Sequence, residues 1–400
     1  MPLPLFETGP DQVVVELKPD AAAAPGGLLA SMASGGAAPT GFTLPNAGEL
    51  PFTPLFRVGG KIAELAHSFA PTSFALPPSP SSAREAQALS RFLVANVPRG
   101  FDPRETIGRL NRTPQVNVAY FAPAAVPAIW ETPIIAEVPA STPNYVPLQG
   151  YLGPAPGGVD AMYAWMQARG NGEGVTICDV EGGWTLNHED LTAAGIRSVH
   201  GSMSANRSWL NHGTAVLGEM IAVPNGQGCQ GISSGARGLV SSIFPDGNAA
   251  DAIRAAADAL QPGDVLLIEL HRPGPRSTQS TGQFGYLPME FWLAEFVAIQ
   301  YAITVRQVIV VEAAGNGSQN MDDSLYDPAP AKEPQRRNSG AIMVGAGAPP
   351  DGLFGPDRSR LDFSNYGTRV DCQGWGRSVV TLAYGDLRSG SPRRQYTAQF

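Results

Sequence analysis

The spacing of apolar residues predicts a small α+β region over residues 1–121. Runs rich in β-branched residues predict strands at Val13–Leu17 and Phe92–Val97, and alternation predicts a half-buried strand at Val116–Tyr120. Asp102, followed by a proline, predicts the start of a helix, because Asp caps helices and proline is tolerated in the first turn. Stretches rich in Ala, Gly and Pro between these elements favour loops or disorder.

A proline-rich segment, residues 122–147, separates this region from the rest of the chain. Its prolines recur every four to six residues, at Pro123, Pro127, Pro133, Pro139, Pro143 and Pro147. Proline lacks the N–H group that a helix requires, and proline-rich chains are extended and semi-rigid. We therefore expect an extended connector here.

Residues 148–400 have the pattern of an α/β domain. Apolar runs predict strands at Val175–Asp179, Leu239–Phe244, Val265–Leu270, Val308–Ala313 and Ala341–Gly345. Helical spacing of apolar residues predicts helices at Val159–Met166, His212–Ile221, Ile253–Leu260 and Met289–Ile303. Strands that are apolar throughout and alternate with helices predict a parallel sheet covered on both faces. In such sheets, functional sites lie at the carboxyl ends of the strands.

Composition and charge exclude some classes of protein. The net charge of −8 argues against a nucleic-acid-binding protein, since phosphate recognition requires clustered Lys and Arg. No run of 18 apolar residues predicts a membrane span. The first residues have no basic segment followed by an apolar one, so no signal peptide is recognisable.

Three residues in chain order, Asp179, His212 and Asn316, suggest nucleophilic hydrolysis. His212 opens a helix of small and apolar residues and is our candidate base. Asp179 ends a predicted strand and is the candidate carboxylate that orients the base, while the Asn316 side chain is the candidate oxyanion donor. Each residue also has an ordinary structural interpretation: a turn aspartate, a helix-capping histidine, and a turn asparagine.

The segments around these residues resemble the subtilisin-like (S8-type) serine peptidases, the subtilases. The resemblance covers residues 148–400 and rests on four ordered segments, which are Asp179–Leu191, His212–Gly218, Ala313–Gly317 and Asp362–Gly367. It implies a subtilisin-like α/β fold and a serine endopeptidase that acts on proteins or peptides through an Asp-His-Ser triad. Residues 1–121 resemble, more loosely, the amino-terminal prodomain of that family, an intramolecular chaperone and inhibitor, with the connector leading into the cleft.

The family's nucleophile segment, Gly-Thr-Ser-x-Ala-x-Pro, does not occur in the chain. Ser389 and Ser391 lie in a polar loop sequence with no helix after them, and we do not expect either to replace it. The simplest interpretation is that the chain stops before its nucleophile, so that as given it is inactive, its catalytic fold is incomplete at the carboxyl end, and apolar sheet surface is exposed. The alternative is a non-catalytic protein: a pseudoprotease, or a binding protein that resembles a prodomain inhibitor.

The expected substrate-binding wall also departs from the family. Glu269, Leu270 and His271 stand where the family has Ser-Leu-Gly. Glycines let a substrate backbone lie close, so bulky residues here narrow the cleft. One hypothesis is that Glu269 favours a basic substrate residue.

The resemblance implies no required cofactor, although subtilases often bind structural calcium. Asp190 and Asn225 align with places where calcium is ligated by oxygen atoms, while an ordinary solvent loop is the alternative. His188 and His200 lie near His212 in the sequence, but no spacing typical of a metal hydrolase occurs. By resemblance the protein is secreted or belongs to the cell envelope, although the absence of a visible signal peptide leaves the cytoplasm open.

Overall fold

The structure is a computed structural model that describes residues 10–19, 50–56, 88–127, 141–277, 282–326 and 338–400. The strands are β1 Gln12–Leu17, β2 Thr53–Pro54, β3 Phe92–Asn96, β4 Val116–Ala122, β5 Val126–Pro127, β6 Thr176–Glu181, β7 Arg197–His200, β8 Arg237–Ser242, β9 Val265–Ile268, β10 Leu270–Pro273, β11 Tyr286–Pro288, β12 Ile309–Ala313, β13 Ile342–Gly347, β14 Cys372–Trp375, β15 Thr381–Leu382 and β16 Tyr396–Thr397. The α-helices are α1 Arg104–Leu110, α2 Ala161–Ala164, α3 Arg207–Ile221, α4 Ala249–Ala259 and α5 Leu293–Thr304. The predictions for 20–49 and for the middle of the connector, 128–140, lie outside the described residues.

A parallel seven-stranded sheet in the order β14-β13-β12-β9-β6-β8-β7 forms the centre of the molecule. Alternate residues of β8 show how it is covered: Leu239 packs in the cluster that contains α4 and α5, and Val240 packs with α3. Helices therefore cover both faces, which confirms the predicted α/β fold. On the α3 side the cover is partial, since Ile309 and Ile342 are 46% and 42% exposed.

Several element boundaries differ from the sequence predictions. Strand β6 continues two residues past Asp179, and α3 begins at Arg207, where Asn206 caps it by accepting a hydrogen bond from the Ser208 amide at 2.9 Å. The predicted strand Val265–Leu270 divides at Glu269 into β9 and β10, which belong to different sheets.

The predicted helix Val159–Met166 is mostly wrong. Only the four residues of α2 are helical, and the apolar side chains of the predicted stripe are exposed, Met166 by 73%. Apolar spacing alone therefore did not identify a buried helix face here.

The N-terminal region is a four-stranded antiparallel sheet, β2-β3-β1-β4, with α1 on one face. Its other face shares a core with α4 and α5. Hydrogen bonds join the two: the Asn248 side chain donates to the Leu55 carbonyl at 2.6 Å, and the Ala294 amide donates to the Tyr120 hydroxyl at 3.0 Å. Asn248 and Ala294 lie at the starts of α4 and α5, so the sheet docks on the amino-terminal ends of both helices.

The chain then passes from β4 into β5, which pairs antiparallel with β10. This pairing brings the start of the connector alongside Leu270 and His271. The described part of the chain contains no helix that meets the length and hydropathy of a membrane span.

Candidate active site

His212 lies in the second turn of α3 and is 1% exposed. Glycine at the next position lets this helix approach the chain that follows β6. A Cβ atom on Gly213 would come within 2.5 Å of the Gly183 carbonyl oxygen and 2.6 Å of the Trp184 ring. Close packing against that segment thus fixes the histidine at the carboxyl end of β6.

Glu181, and not Asp179, is the carboxylate that contacts His212. The Nδ1 atom of His212 lies 2.7 Å from Oε1 of Glu181, and both side chains are buried. The carboxylate of Asp179 instead accepts a hydrogen bond from the Trp184 indole at 2.7 Å. The physical reason is strand geometry: residues two apart point to the same face, so the extra length of β6 places Glu181 nearer to the helix.

These two carboxyl groups occupy an apolar and acidic environment. Burial and the neighbouring carboxyl groups raise the pKa of both groups, that of Asp179 through Glu181 and that of Glu181 through Glu269. Within the described structure, Oδ1 of Asp179 and Oε2 of Glu181 are buried without a hydrogen-bond partner. Each carboxyl group therefore has a hydrogen-bond partner at one oxygen only: Trp184 for Asp179 and His212 for Glu181. Of these two partners, only His212 is basic.

Asn316 follows β12 in a loop that crosses the same edge of the sheet. The loop turns at Gly315, whose φ of 87° favours glycine. The backbone amide of Asn316 donates to Nδ1 of His271 at 3.2 Å, and its side-chain Nδ2 donates to Oε1 of Gln283 at 2.9 Å. Asn316 is half-buried and lines the same cavity as His212.

Asn365 holds the Asn316 loop in place through hydrogen bonds to its backbone. Sequence analysis did not assign this role to Asn365. Its Nδ2 atom donates to the Ala314 and Tyr286 carbonyls at 2.6 and 2.8 Å, and its amide donates to the Gly315 carbonyl at 3.0 Å. Asn365 belongs to the Asp362–Gly367 segment, which sequence analysis singled out. Its contacts, however, are with backbone groups 51 and 79 positions away, and local sequence does not indicate such partners.

The cavity beside His212 has a volume of about 240 Å³ and contains two further carboxyl groups, those of Glu219 and Glu269. Burial and the charge of Glu269 raise the pKa of Glu219 to about 8, and burial raises that of Glu269. Sequence analysis singled out Glu269 and missed Glu219, although Glu219 follows His212 by two helical turns and so shares its face.

The other two residues of the predicted wall lie in β10. Leu270 and His271 are buried and stand opposite Pro127 and Val126 of β5. Burial and the nearby charge of His212 lower the pKa of His271 to about 3, so His271 is neutral and accepts at Nδ1. These two residues of the predicted wall thus face the connector, while Glu269 lines the cavity.

Asp190 and Asn225, the predicted calcium ligands, contact one another. Asn225 donates its Nδ2 to Oδ1 of Asp190 at 2.9 Å, while the Cys229 amide and the Tyr396 hydroxyl donate to Oδ2 at 2.9 and 3.0 Å. Donors therefore engage both carboxylate oxygens, and Asn225 presents its side-chain amide NH2 group, not its oxygen, to Asp190. This arrangement is a hydrogen-bonded cluster and does not fit a calcium ligand set.

The histidines of the alternative metal-hydrolase interpretation do not converge. His188 lies 3.1 Å from the Gln395 carbonyl, His200 lies 3.3 Å from Asp251, and His212 pairs with Glu181. Among the described residues, no group of three or more His, Cys, Asp and Glu side chains could hold a metal ion.

Comparison with known proteins agrees with the fold. Fervidolysin from Fervidobacterium pennivorans, a keratinolytic enzyme related to subtilisin, aligns with 99% of this chain at 15% identity and a TM-score of 0.51; the chain spans 53% of fervidolysin. A protease from Pseudoalteromonas arctica is 22% identical over 64% of this chain and 81% of its own, with a TM-score of 0.44. A search of curated proteins found no match.

The sequence itself supplies the assignment. The subtilase family model matches residues 172–399, more than half of the chain, and this span contains β6, α3 and the Asn316 loop. The chain therefore belongs to the subtilase family of peptidases.

Proposed function

We propose that this protein is a serine endopeptidase in which His212 is the general base, Glu181 orients His212, and Asn316 donates to the oxyanion. The observation that carries the proposal is the buried contact of 2.7 Å between His212 and Glu181, beside a cavity that Asn316 also lines. A carboxylate on Nδ1 fixes the tautomer whose Nε2 can accept a proton. We propose Glu181 for this role in place of Asp179, and the contact of Glu181 with the His212 ring supports the choice.

The nucleophile is proposed to be a serine that follows Phe400. The Phe400 ring packs edge-on against the His212 ring, with centroids 5.3 Å apart, so the chain is beside the base at that point. Ser364 also lines the cavity, but its hydroxyl donates to the Asn365 carbonyl and accepts from the Ala346 amide, both at 2.9 Å. Ser364 is therefore engaged in supporting a turn.

The N-terminal sheet is proposed to act as the chaperone and inhibitor of the same chain. Its shared core with α4 and α5 and the pairing of β5 with β10 support this proposal. A segment paired with β10 occupies the edge along which an extended substrate would form main-chain hydrogen bonds. The substrate class is proteins or peptides, no cofactor is required, and export from the cell is proposed on family resemblance.

The test is to express the whole gene product, including any codons after residue 400, and to treat it with a serine-reactive fluorophosphonate probe. Labelling that disappears in His212→Ala supports the proposal. A stop codon directly after Phe400, together with no labelling of the folded protein, would contradict it and favour a non-catalytic binding protein.

A further inference from the structure

Gln283 lies between the connector and the oxyanion residue. Its Nε2 atom donates to the Pro127 carbonyl of β5 at 2.9 Å, and its Oε1 atom accepts from Nδ2 of Asn316 at 2.9 Å. One half-buried amide therefore joins a backbone group of the connector to the side chain that we assign to the oxyanion.

The geometry of an amide makes these two contacts dependent on one another. A glutamine side chain has one oxygen, which only accepts, and one NH2 group, which only donates. While the Pro127 carbonyl holds the NH2 group, the oxygen must point to the opposite side, which is where Asn316 lies. Without the Pro127 carbonyl, the amide is free to rotate, so its oxygen is no longer held toward Asn316.

The backbone of Asn316 is held from the same direction. His271 accepts from the Asn316 amide, and His271 is also the residue of β10 that stands opposite Val126 in β5. Both groups that restrain Asn316 therefore touch the connector, although Asn316 itself is more than 180 residues away in the chain.

We propose that Gln283 is a positioning residue that couples the connector to the oxyanion donor. With β5 in place, Gln283 engages Nδ2 of Asn316 and keeps it from an oxyanion; when β5 leaves, Asn316 is released. This inference rests on the proposed function, because it assigns a means of control to the same site. The connector would then inhibit in two ways: β5 blocks the cleft, and Gln283 keeps Asn316 from the oxyanion.

The first experiment observes Asn316 directly and requires no catalysis. The 400-residue chain is labelled with ¹⁵N-asparagine, and the side-chain NH2 signals of Asn316 are assigned by their absence in Asn316→Ser. Gln283→Ala should move these signals, whereas Gln167→Ala, at an exposed position, should not. Gln283→Glu keeps the acceptor for Asn316 but lacks the donor for Pro127, so it separates the two contacts.

The decisive variant changes only the connector. Ala125→Asp/Val126→Asp places two charges at positions that are 1% and 5% exposed, which should expel β5. Hydrogen exchange of the Leu270 and His271 amides reports whether β10 has lost its pairing with β5. The proposal expects the Asn316 signals to move as they do in Gln283→Ala. If they keep their wild-type positions while the Leu270 and His271 amides exchange faster than in wild type, or if Gln283→Ala leaves them in place, the proposal is wrong.

The second experiment measures the consequence in the whole gene product. Phosphonate labelling rates are compared before and after removal of the N-terminal region, in wild type and in Gln283→Ala. Loss of the hydrogen bond should reduce the ratio of the two rates by about 2- to 10-fold. An unchanged ratio would overturn the coupling. If no variant is labelled, the proposed function fails, while the Asn316 signals still decide whether the coupling exists.

Discussion

The two sides of the candidate active site are held in different ways. On one side, His212 and Glu181 are buried, 1% and 0% exposed, and lie on a helix and a strand of the central domain. On the other side, Asn316 is half-buried in a loop, and its donors contact His271 and Gln283, which both adjoin the connector. The proposed acid–base pair is therefore held by the core, whereas the contacts of the proposed oxyanion donor involve residues that adjoin a segment outside the central sheet.

Under the proposed function, this difference separates two requirements of a hydrolase that is made in an inhibited form. A proton-transfer pair must keep its geometry throughout. An oxyanion donor contributes only when it can reach the developing charge, so control at that point suppresses the reaction without disturbing the core.

The sharpest test of the His212 side is Glu181→Gln. Loss of the carboxylate removes the charge that fixes the His212 tautomer, and we expect kcat of the whole gene product to fall by about 10⁴-fold. Asp179→Asn is the matched control, since its carboxylate contacts Trp184, and we expect less than about a tenfold loss, or 1.4 kcal/mol. A larger loss in Asp179→Asn than in Glu181→Gln, measured by peptide hydrolysis, would return the orienting role to Asp179.

The Asn316 side is tested by Asn365→Ala. This change leaves the Ala314 and Tyr286 carbonyls without their donor, which lets the loop shift. A misplaced donor should lower kcat by about 10- to 100-fold with little change in KM. Asn338→Ala, at an exposed position, is the control. Equal kcat values in the two variants would show that the loop does not depend on Asn365.

Gly213→Ala tests how tightly the His212 side is packed. The added methyl group meets the Gly183 carbonyl and the Trp184 ring, and should lower the free energy of unfolding by about 1–3 kcal/mol. In α1, a Cβ atom on Gly108 would meet only Arg112, at 3.6 Å, so Gly108→Ala should stabilise by up to about 1 kcal/mol. Urea unfolding of the two variants measures both effects, and a stable Gly213→Ala would mean that α3 can move.

The smallest expected effect concerns pH and Glu219. Burial raises the pKa of Glu219 from 4.5 to about 8, so the folded protein keeps a proton that the unfolded chain releases between these values. The contribution of Glu219 to the free energy of unfolding therefore falls as the pH rises from 4.5 to 8, and it does not change with pH below 4.5. Glu219→Gln should raise Tm by a few degrees at pH 8 and not at pH 4. An equal gain at both pH values would indicate a packing effect instead.

The fold could be predicted well because buried parallel strands leave a local signal. Strands β9 and β13 are runs without a polar side chain, and the helix that contains His212 has a run of small and apolar residues. The family match supports the same fold. The helix predicted at Val159–Met166 is mostly wrong because apolar residues at helical spacing also occur here, in a segment that exposes them to solvent.

The candidate site could be predicted only in part. His212 and Asn316 line one cavity, but sequence analysis names Asp179 as the carboxylate because the apolar run ends there, whereas β6 extends to Glu181, which contacts His212. Gln283 left no signal, since its contacts join residues 33 and 156 positions away, and such pairs are set by the fold and not by local sequence.

The shared core between the N-terminal sheet and helices α4 and α5 has a consequence for stability. While the connector is intact, the sheet is presented to those helices at an effective concentration that the connector's length determines. Cleavage of the connector turns the sheet into a separate ligand of the folded state, and its contribution then follows mass action. The Tm of the cut protein should therefore fall on dilution, while that of the uncut chain should be independent of concentration.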